Sequence, residues 1–362
     1  MVKEKFYLNG LDSLRAIAAL SVIVHHIEKN KPSFGSLHLS HAAEPLGHLG
    51  VVLFFTLSGF LITLLLLKEK KAYGSIDFKK FYLRRIFRIW PLYYMTILLS
   101  ALLPGPDMEP LVWVLCLTIL PNIATALLGG WQPSPQIWSI GVEEQFYLGW
   151  PFIINRFYKK LILVLVTLFL VFSLVPQVVL YAINRNGTDI HLINNLNHIL
   201  FYSKFQCMMA GGIAGSLFFS RAPGRDKKLH PMLAGFAFIV PLACWFSGFT
   251  LPVFNDELYS ILFALMMYQL ASGNIAFFKK DPPLLSFLGK ISYGLYMYHW
   301  MVISFCLWLT SDLFAKNVYM GNLVLYVSSL LLVILVSWIS YRYFESFFLK
   351  KKELFTRNAG LS

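Results

Sequence analysis

The sequence predicts an all-α fold, a polytopic membrane protein with about ten transmembrane helices, one re-entrant or interfacial segment and both termini cytoplasmic. Three observations predict it. Of 362 residues, 57% are hydrophobic and 14% charged, against roughly 45–50% apolar residues in a soluble domain. Apolar stretches recur close to the ~20 residues that a helix needs to cross a ~30 Å hydrocarbon core, as at 161–181, 232–248 and 322–339. Lys and Arg collect in the short segments between them, as cytoplasmic loops do under the positive-inside rule.

Taken in order, helices over 11–30, 47–67 and 89–103 leave the acidic loop "PGPDMEP" outside, while the basic segment 156–160 requires the inside. Only an odd number of crossings fits between them. Of the two candidates there, 111–128 has Pro121 and Asn122 at its centre and runs on into "GGWQPSP", features of a broken helix lining a protected cavity. The segment 111–137 is therefore read as re-entrant or interfacial, and 138–155 as the crossing helix. The remaining basic segments, 68–88, 221–230, 279–290 and the tail from Lys350, fall on the side of Lys3 and Lys5. Residues 1–349 form one transmembrane domain, and 350–362 ("KKKELFTRNAGLS") a basic, solvated cytoplasmic tail. The N-terminal "MVKEKFYLNGLDSLR" has no small-residue cleavage site and is expected to stay attached.

A net charge of +13 raises nucleic acid as a partner, but cations confined to loops between apolar segments argue against it. They suit anionic lipid or an anionic cosubstrate at the cytoplasmic face. Cys116, Cys207, Cys244 and Cys306 all lie in apolar segments without CxxC spacing, so neither a disulfide framework nor a metal site is expected.

Several apolar segments hold polar side chains that are costly there unless used. "LDSLRAIAALSVIVHH" (11–26) contains Asp12, Arg15, His25 and His26. Arg15 and His26 lie three turns apart with about 20° of offset, Asp12 is about 40° from His26, and His25 points about 100° away. At 1.5 Å per residue, His26 sits ~22 Å above Leu11, nearer the outer leaflet. Alone, Arg15 reads as a snorkelling residue and His26 as a wetted helix end; sharing a face with Asp12 favours a cavity. In "WSIGVEEQFYLGWP" (138–151), Glu143 and Glu144 lie one to two turns into a helix. They are either carboxylates favoured by the helix dipole or a group that holds a histidine in one tautomer. In "FYLRRIFRIWP", Arg84 and Arg88 are four apart and share a face if helical, as a fork for phosphate needs, with Arg85 beside them; taken alone, such arginines are topology signals. Ser58 and Gly59 read as close helix packing rather than a nucleophile. Ser292, Tyr296 and His299 fall along roughly one face, as a polar seam or an acceptor-site wall.

Together these stretches resemble the acyltransferase-3 family, integral-membrane enzymes that move acyl groups, usually acetyl from acetyl-CoA, onto sugars of cell-surface or exported molecules. The marks stand in order as "LDSLRAIAALSVIVHH", "GHLGVVLFFTLSGFLI", "FYLRRIFRIWPLYY", "WSIGVEEQFYL", "LGKISYGLYMYH" and "SYRYFE". The resemblance makes His26 the essential histidine, Arg15 the first-helix arginine, and Arg84 and Arg88 the basic motif linked to acyl-CoA. Trp138, Glu143 and Glu144 match the Trp-Ser and Glu-Glu motif. Ala16, Gly141 and Ser346 depart from the family's frequent glycine, serine and proline.

The expected function is O-acetyl transfer from cytoplasmic acetyl-CoA, without a metal, to a hydroxyl of a carbohydrate at the outer face, such as lipopolysaccharide O-antigen or exopolysaccharide. The setting is a bacterial inner membrane among its lipids, and oligomeric state is left open. His26, Glu143, Glu144 and Arg15 are the candidate catalytic residues, with a Glu orienting His26 and Arg15 offsetting oxyanion charge. Arg84, Arg85 and Arg88 are the candidate donor-binding residues, and Trp138, Ser139, Tyr296, His299 and Asp12 the candidate acceptor-side residues. His26 is either a general base or a covalent acyl carrier. Many relatives continue into a periplasmic hydrolase-like domain, so acceptor selection is expected in the membrane domain or a partner. The competing reading is a transporter or exporter of a glycan-related small molecule, which inverted repeats would favour; the sequence shows none. A third is an inactive relative that serves in assembly.

Overall fold

The computed structural model describes residues 8–31, 40–103, 107–186, 191–220, 231–273 and 281–355. Lys3 and Lys5, the loop 221–230, part of the acidic loop, Lys279 and Lys280, and residues 356–362 lie outside these ranges. Among the described residues every regular element is helical. In order they are α1 (Leu11–Asn30), α2 (Ser40–Tyr73), α3 (Phe78–Ala101), α4 (Pro110–Leu117), α5 (Pro121–Leu128), α6 (Trp138–Phe157), α7 (Leu161–Asn186) and α8 (His191–Phe201). There follow α9 (Phe205–Ser220), α10 (Pro231–Phe246), α11 (Asn255–Ala271), α12 (Pro283–Lys290), α13 (Ser292–Lys316), α14 (Val318–Ile339), a π-helical turn (Ser340–Glu345) and α15 (Ser346–Glu353).

Three helical stretches are long and apolar enough to cross a membrane: Pro45–Tyr73, Pro135–Tyr181 and Val318–Glu353. α1 and α3 are as long as a span requires but carry ionisable residues on faces turned inward, which lowers their apolarity. Intramembrane charges of that kind face a bundle interior rather than lipid.

Two boundaries differ from the sequence reading. The segment 68–88 is not a basic loop: α2 continues through Lys68, Lys70 and Lys71 to Tyr73, and α3 begins at Phe78. Apolarity marks where hydrocarbon ends, but cations at a helix C-terminus favour the dipole and let the helix run on. The tail also departs from a purely solvated one, because α15 carries the chain to Glu353 and the Phe355 ring stacks on Phe87, with centroids 5.6 Å apart.

The broken segment matches its chemistry. α4 and α5, eight residues each, rise about 12 Å apiece, short of the core thickness. Ile119, at φ 61, turns the chain between them, and Pro121 opens α5. Asn122 exchanges hydrogen bonds with Gln145 at 3.1 and 2.8 Å, which ties α5 to α6.

The core is set by close backbone approach between α2 and α9. A Cβ built on Gly59 falls 1.9 Å from the Met208 carbonyl oxygen, and one on Gly211 falls 1.8 Å from that of Thr56. Small residues let helices meet this way where no solvent drives them together. α1 is held at its start by Asp281, whose carboxylate accepts from the Gly10 amide at 3.0 Å and from the Ser13 hydroxyl. Asp281→Ala removes both acceptors and the anion at a helix N-terminus, and is expected to destabilise by about 1–3 kcal/mol. A lowered melting temperature in detergent, with Asp281→Asn falling between, is the check; an unchanged value refutes it.

Candidate active site

A cavity of about 310 Å³ lies between α1, α2, α3, α6 and α13. α2 lines it from Val51 to Glu69, a rise of about 27 Å at 1.5 Å per residue. The lining positions Val51, Phe55, Ser58, Ile62, Leu65 and Glu69 recur at helical spacing and so share one face. The cavity is charged near Glu69 and Arg84, carries Ser58 and Glu143 along its length, and ends among Val51, Phe54, Ser139 and Tyr296.

The charged end gathers more cations than anions. Asp12 pairs with Arg15 at 2.8 Å. Glu69 pairs with Arg84 at 2.9 Å, and Arg84 also donates to the Phe355 carbonyl at 3.0 Å. Arg85 lies against the Tyr147 ring, 5.8 Å from its centroid, and its buried Nε has no hydrogen-bond partner among the described residues. Arg88 lines the cavity with neither a hydrogen bond nor an ion pair among the described residues. Of the three arginines in the sequence motif, Arg84 is thus engaged within the protein, while Arg85 and Arg88 keep donors available.

At the other end, Tyr296 joins the cavity to a histidine pair. Its hydroxyl lies 2.8 Å from Ser139 Oγ and donates to the Gln136 carbonyl at 3.1 Å. Three residues on, fully buried His299 places Nδ1 at 2.6 Å from the Tyr296 carbonyl and Nε2 at 3.0 Å from His26 Nδ1. His26 Nδ1 is also 3.0 Å from the Val22 carbonyl. A carbonyl only accepts, so in neutral imidazoles each Nδ1 bears the proton. His299 Nε2 then accepts from His26 Nδ1, and the lone pair of His26 Nε2 is left for chemistry. Trp300 meets the His26 ring edge-on at 5.1 Å between centroids.

This geometry corrects the expected orienting group. Neither Glu143 nor Glu144 holds His26: Glu143 accepts from Ser58 Oγ at 2.6 Å and Glu144 from Trp90 Nε1 at 2.9 Å. The side chain that meets His26 is His299, expected at the acceptor wall, because α13 packs against the His26 end of α1. The stripe on α1 divides likewise, with Asp12 and Arg15 lining the cavity while His26 meets His299, whose ring lies 5.7 Å from that of Tyr296. His25 turns away to the Ala43 carbonyl at 3.1 Å. Trp138 packs between Phe55 and Tyr202. Ser58, read as a packing residue, lines the cavity, and Gly59 beside it makes the close contact. Lys352, assigned to a solvated tail, lines the charged end. Among the described residues no group of three or more His, Cys, Asp or Glu is placed to hold a metal ion, and all four cysteines are free thiols.

Comparison with known proteins agrees with the residues. O-acetyltransferase OatA of Staphylococcus aureus strain NCTC 8325 / PS 47 is 27% identical over 376 residues, which cover 95% of this chain and 58% of that protein. OatA of strain COL matches with the same identity and coverage. The chain therefore spans somewhat more than half the length of these relatives. No solved structure matches it. A family model described as an acyltransferase domain matches residues 8–342, and the chain belongs to the acyltransferase-3 family.

Proposed function

We propose that this protein is a membrane O-acetyltransferase that takes acetyl from cytoplasmic acetyl-CoA and delivers it to a hydroxyl of a cell-surface or exported carbohydrate. The single observation that supports this reading best is the cavity, cationic at one end and leading over about 27 Å to Tyr296, whose ring lies 5.7 Å from that of His299, the partner of His26. A donor with phosphates at one end of a long arm and a thioester at the other fits that polarity. The relatives' printed name, O-acetyltransferase, points to the same chemistry. Ten helices of sixteen or more residues, α1–α3, α6, α7, α9–α11, α13 and α14, support ten crossings with both termini cytoplasmic, in the inner membrane of a bacterium.

In the reaction proposed, His26 Nε2 takes the proton of the acceptor hydroxyl as its oxygen attacks the thioester carbonyl. The tetrahedral intermediate expels the thiolate, which takes that proton from the imidazolium, so ester and CoA thiol are the products. His299 Nε2 accepts from His26 Nδ1 throughout and stabilises the imidazolium. Arg88 and Arg85 bind phosphate, and Arg15, held by Asp12, carries positive charge into the cavity beside the donor. Glu143 fixes the Ser58 hydroxyl, Glu144 fixes α3 through Trp90, and Ser139, Tyr296 and Trp138 shape the end where donor and acceptor meet.

The test is mass spectrometry of surface glycans from a host lacking this protein, with and without the wild-type gene, together with CoA release by the purified protein. An acetyl mass restored by the gene, with CoA release that depends on added glycan, is the expected result. Movement of a glycan across the membrane without CoA release would identify an exporter instead. Single-turnover labelling of the protein by acetyl-CoA without acceptor is expected to be absent; a labelled His26 would replace the general base with a covalent carrier.

A further inference from the structure

The charged end of the cavity contains a cation from outside the arginine motif. Lys352, on α15 beyond the π-helical turn, lines the cavity with Arg84, Arg85 and Arg88. α15 is held over α3 by the Phe355–Phe87 stack and by the Arg84 bond to the Phe355 carbonyl. Lys352 is partly buried, and its ammonium makes no hydrogen bond or ion pair among the described residues.

Pairing within the cavity leaves this surplus unmatched. Asp12 and Glu69 each take one arginine, and Glu143, whose carboxylate accepts from Ser58, is the one further anion among the lining residues. Arg85, Arg88 and Lys352 outnumber it, converging from two helices that are far apart in sequence. Three cations facing one carboxylate in a partly desolvated space repel one another until a further anion joins them. Guanidinium and ammonium donors around one space suit phosphate oxygens.

We propose that Lys352 completes the donor site as a phosphate ligand for the nucleotide end of acetyl-CoA, and that α15 is the wall that presents it. This rests on the reading of the cavity as the donor site. The phosphate end then sits between α3 and α15, and the chain's last described helix belongs to the catalytic domain rather than to a tail. A phosphate-bearing headgroup of an anionic lipid shares the ligand chemistry, so the bilayer composition has to be controlled.

The experiment uses the full chain in nanodiscs of phosphatidylcholine alone. Affinity for CoA and the kcat and KM of acetyl transfer are measured for wild type, Lys352→Gln and Lys352→Arg, with acetyl-CoA and with acetyl-pantetheine, which lacks phosphate. Lys352→Gln is expected to weaken CoA binding and raise the acetyl-CoA KM about tenfold or more while leaving kcat and the use of acetyl-pantetheine unchanged. Lys352→Arg restores most of the affinity. Equal losses on both donors would assign Lys352 a purely structural role and overturn the proposal, as would a glutamine variant indistinguishable from wild type. Lys352-dependent retention of phosphatidylglycerol without CoA binding would overturn it in favour of lipid. Wild-type protein that neither binds CoA nor transfers acetyl would instead refute the donor reading itself.

Discussion

His26→Ala lowers acetyl transfer by about 10²–10⁴-fold, the range spanned by a general base, at unchanged protein level in the membrane. The expectation follows from the histidine pair. With both imidazoles neutral, the carbonyls of Val22 and Tyr296 consume the two Nδ1 protons, and His299 Nε2 accepts from His26. The one basic nitrogen left without a partner in this arrangement is His26 Nε2. His299→Phe keeps that nitrogen but removes its neighbour's acceptor, so a smaller loss of about tenfold is expected, equal to about 1.4 kcal/mol. His25→Asn keeps most of the activity, because His25 faces the Ala43 carbonyl and Gly47 instead. Glycan O-acetylation measured at matched expression tests all three. A His26→Ala protein as active as wild type would remove this residue from the chemistry.

Gly211→Leu is expected to abolish the folded protein rather than its chemistry. The first added carbon would lie 1.8 Å from the Thr56 carbonyl oxygen and 2.8 Å from the Phe60 amide nitrogen. Both neighbours are backbone atoms of α2, so relief requires the two helices to separate. Overpacking a core side chain costs about 1–3 kcal/mol; displacing a helix backbone is expected to cost about 4 kcal/mol or more, a large share of a typical 5–15 kcal/mol total. Gly149→Leu is the control, since nothing lies within 4 Å of a Cβ built there. Size-exclusion profiles in detergent are expected to show aggregate or no protein for Gly211→Leu and a normal peak for Gly149→Leu. A monodisperse Gly211→Leu protein with an unshifted melting temperature would refute the packing argument.

Much of the helical order was legible because hydrocarbon imposes long apolar stretches, and the break at Pro121 and Asn122 showed as proline and amide in an oily segment. The ends of α2 and α3 were not legible, since a lysine-rich helix end and a lysine-rich loop have the same composition. Within the site, Arg15, Asp12, Glu143 and the arginine motif stood out as charges where charge is costly, and all of them line the cavity. His299 was visible, but its place beside His26 depends on the crossing of α1 and α13, which periodicity along one helix does not encode. Lys352 gave no signal, because one lysine among three in a basic run carries no mark of the face it presents. Trp300 followed the histidine in the quoted motif and was passed over because an aromatic in a membrane helix is ordinary.

α2 presents Ser58 to the cavity while Thr56, Gly59 and Phe60, on its other side, meet the α9 backbone. The helix therefore works as a stator: the same element that lines the cavity is clamped along its back. α1 is clamped as well, since a Cβ on Gly50 would lie 2.9 Å from the Ala18 carbonyl oxygen and one on Gly289 2.1 Å from that of Asp12, so any breathing that the proposed thioester donor requires falls to α3 and α13. Spin labels across α2 and α9 are expected to report one distance with and without CoA, and labels across α3 and α13 two.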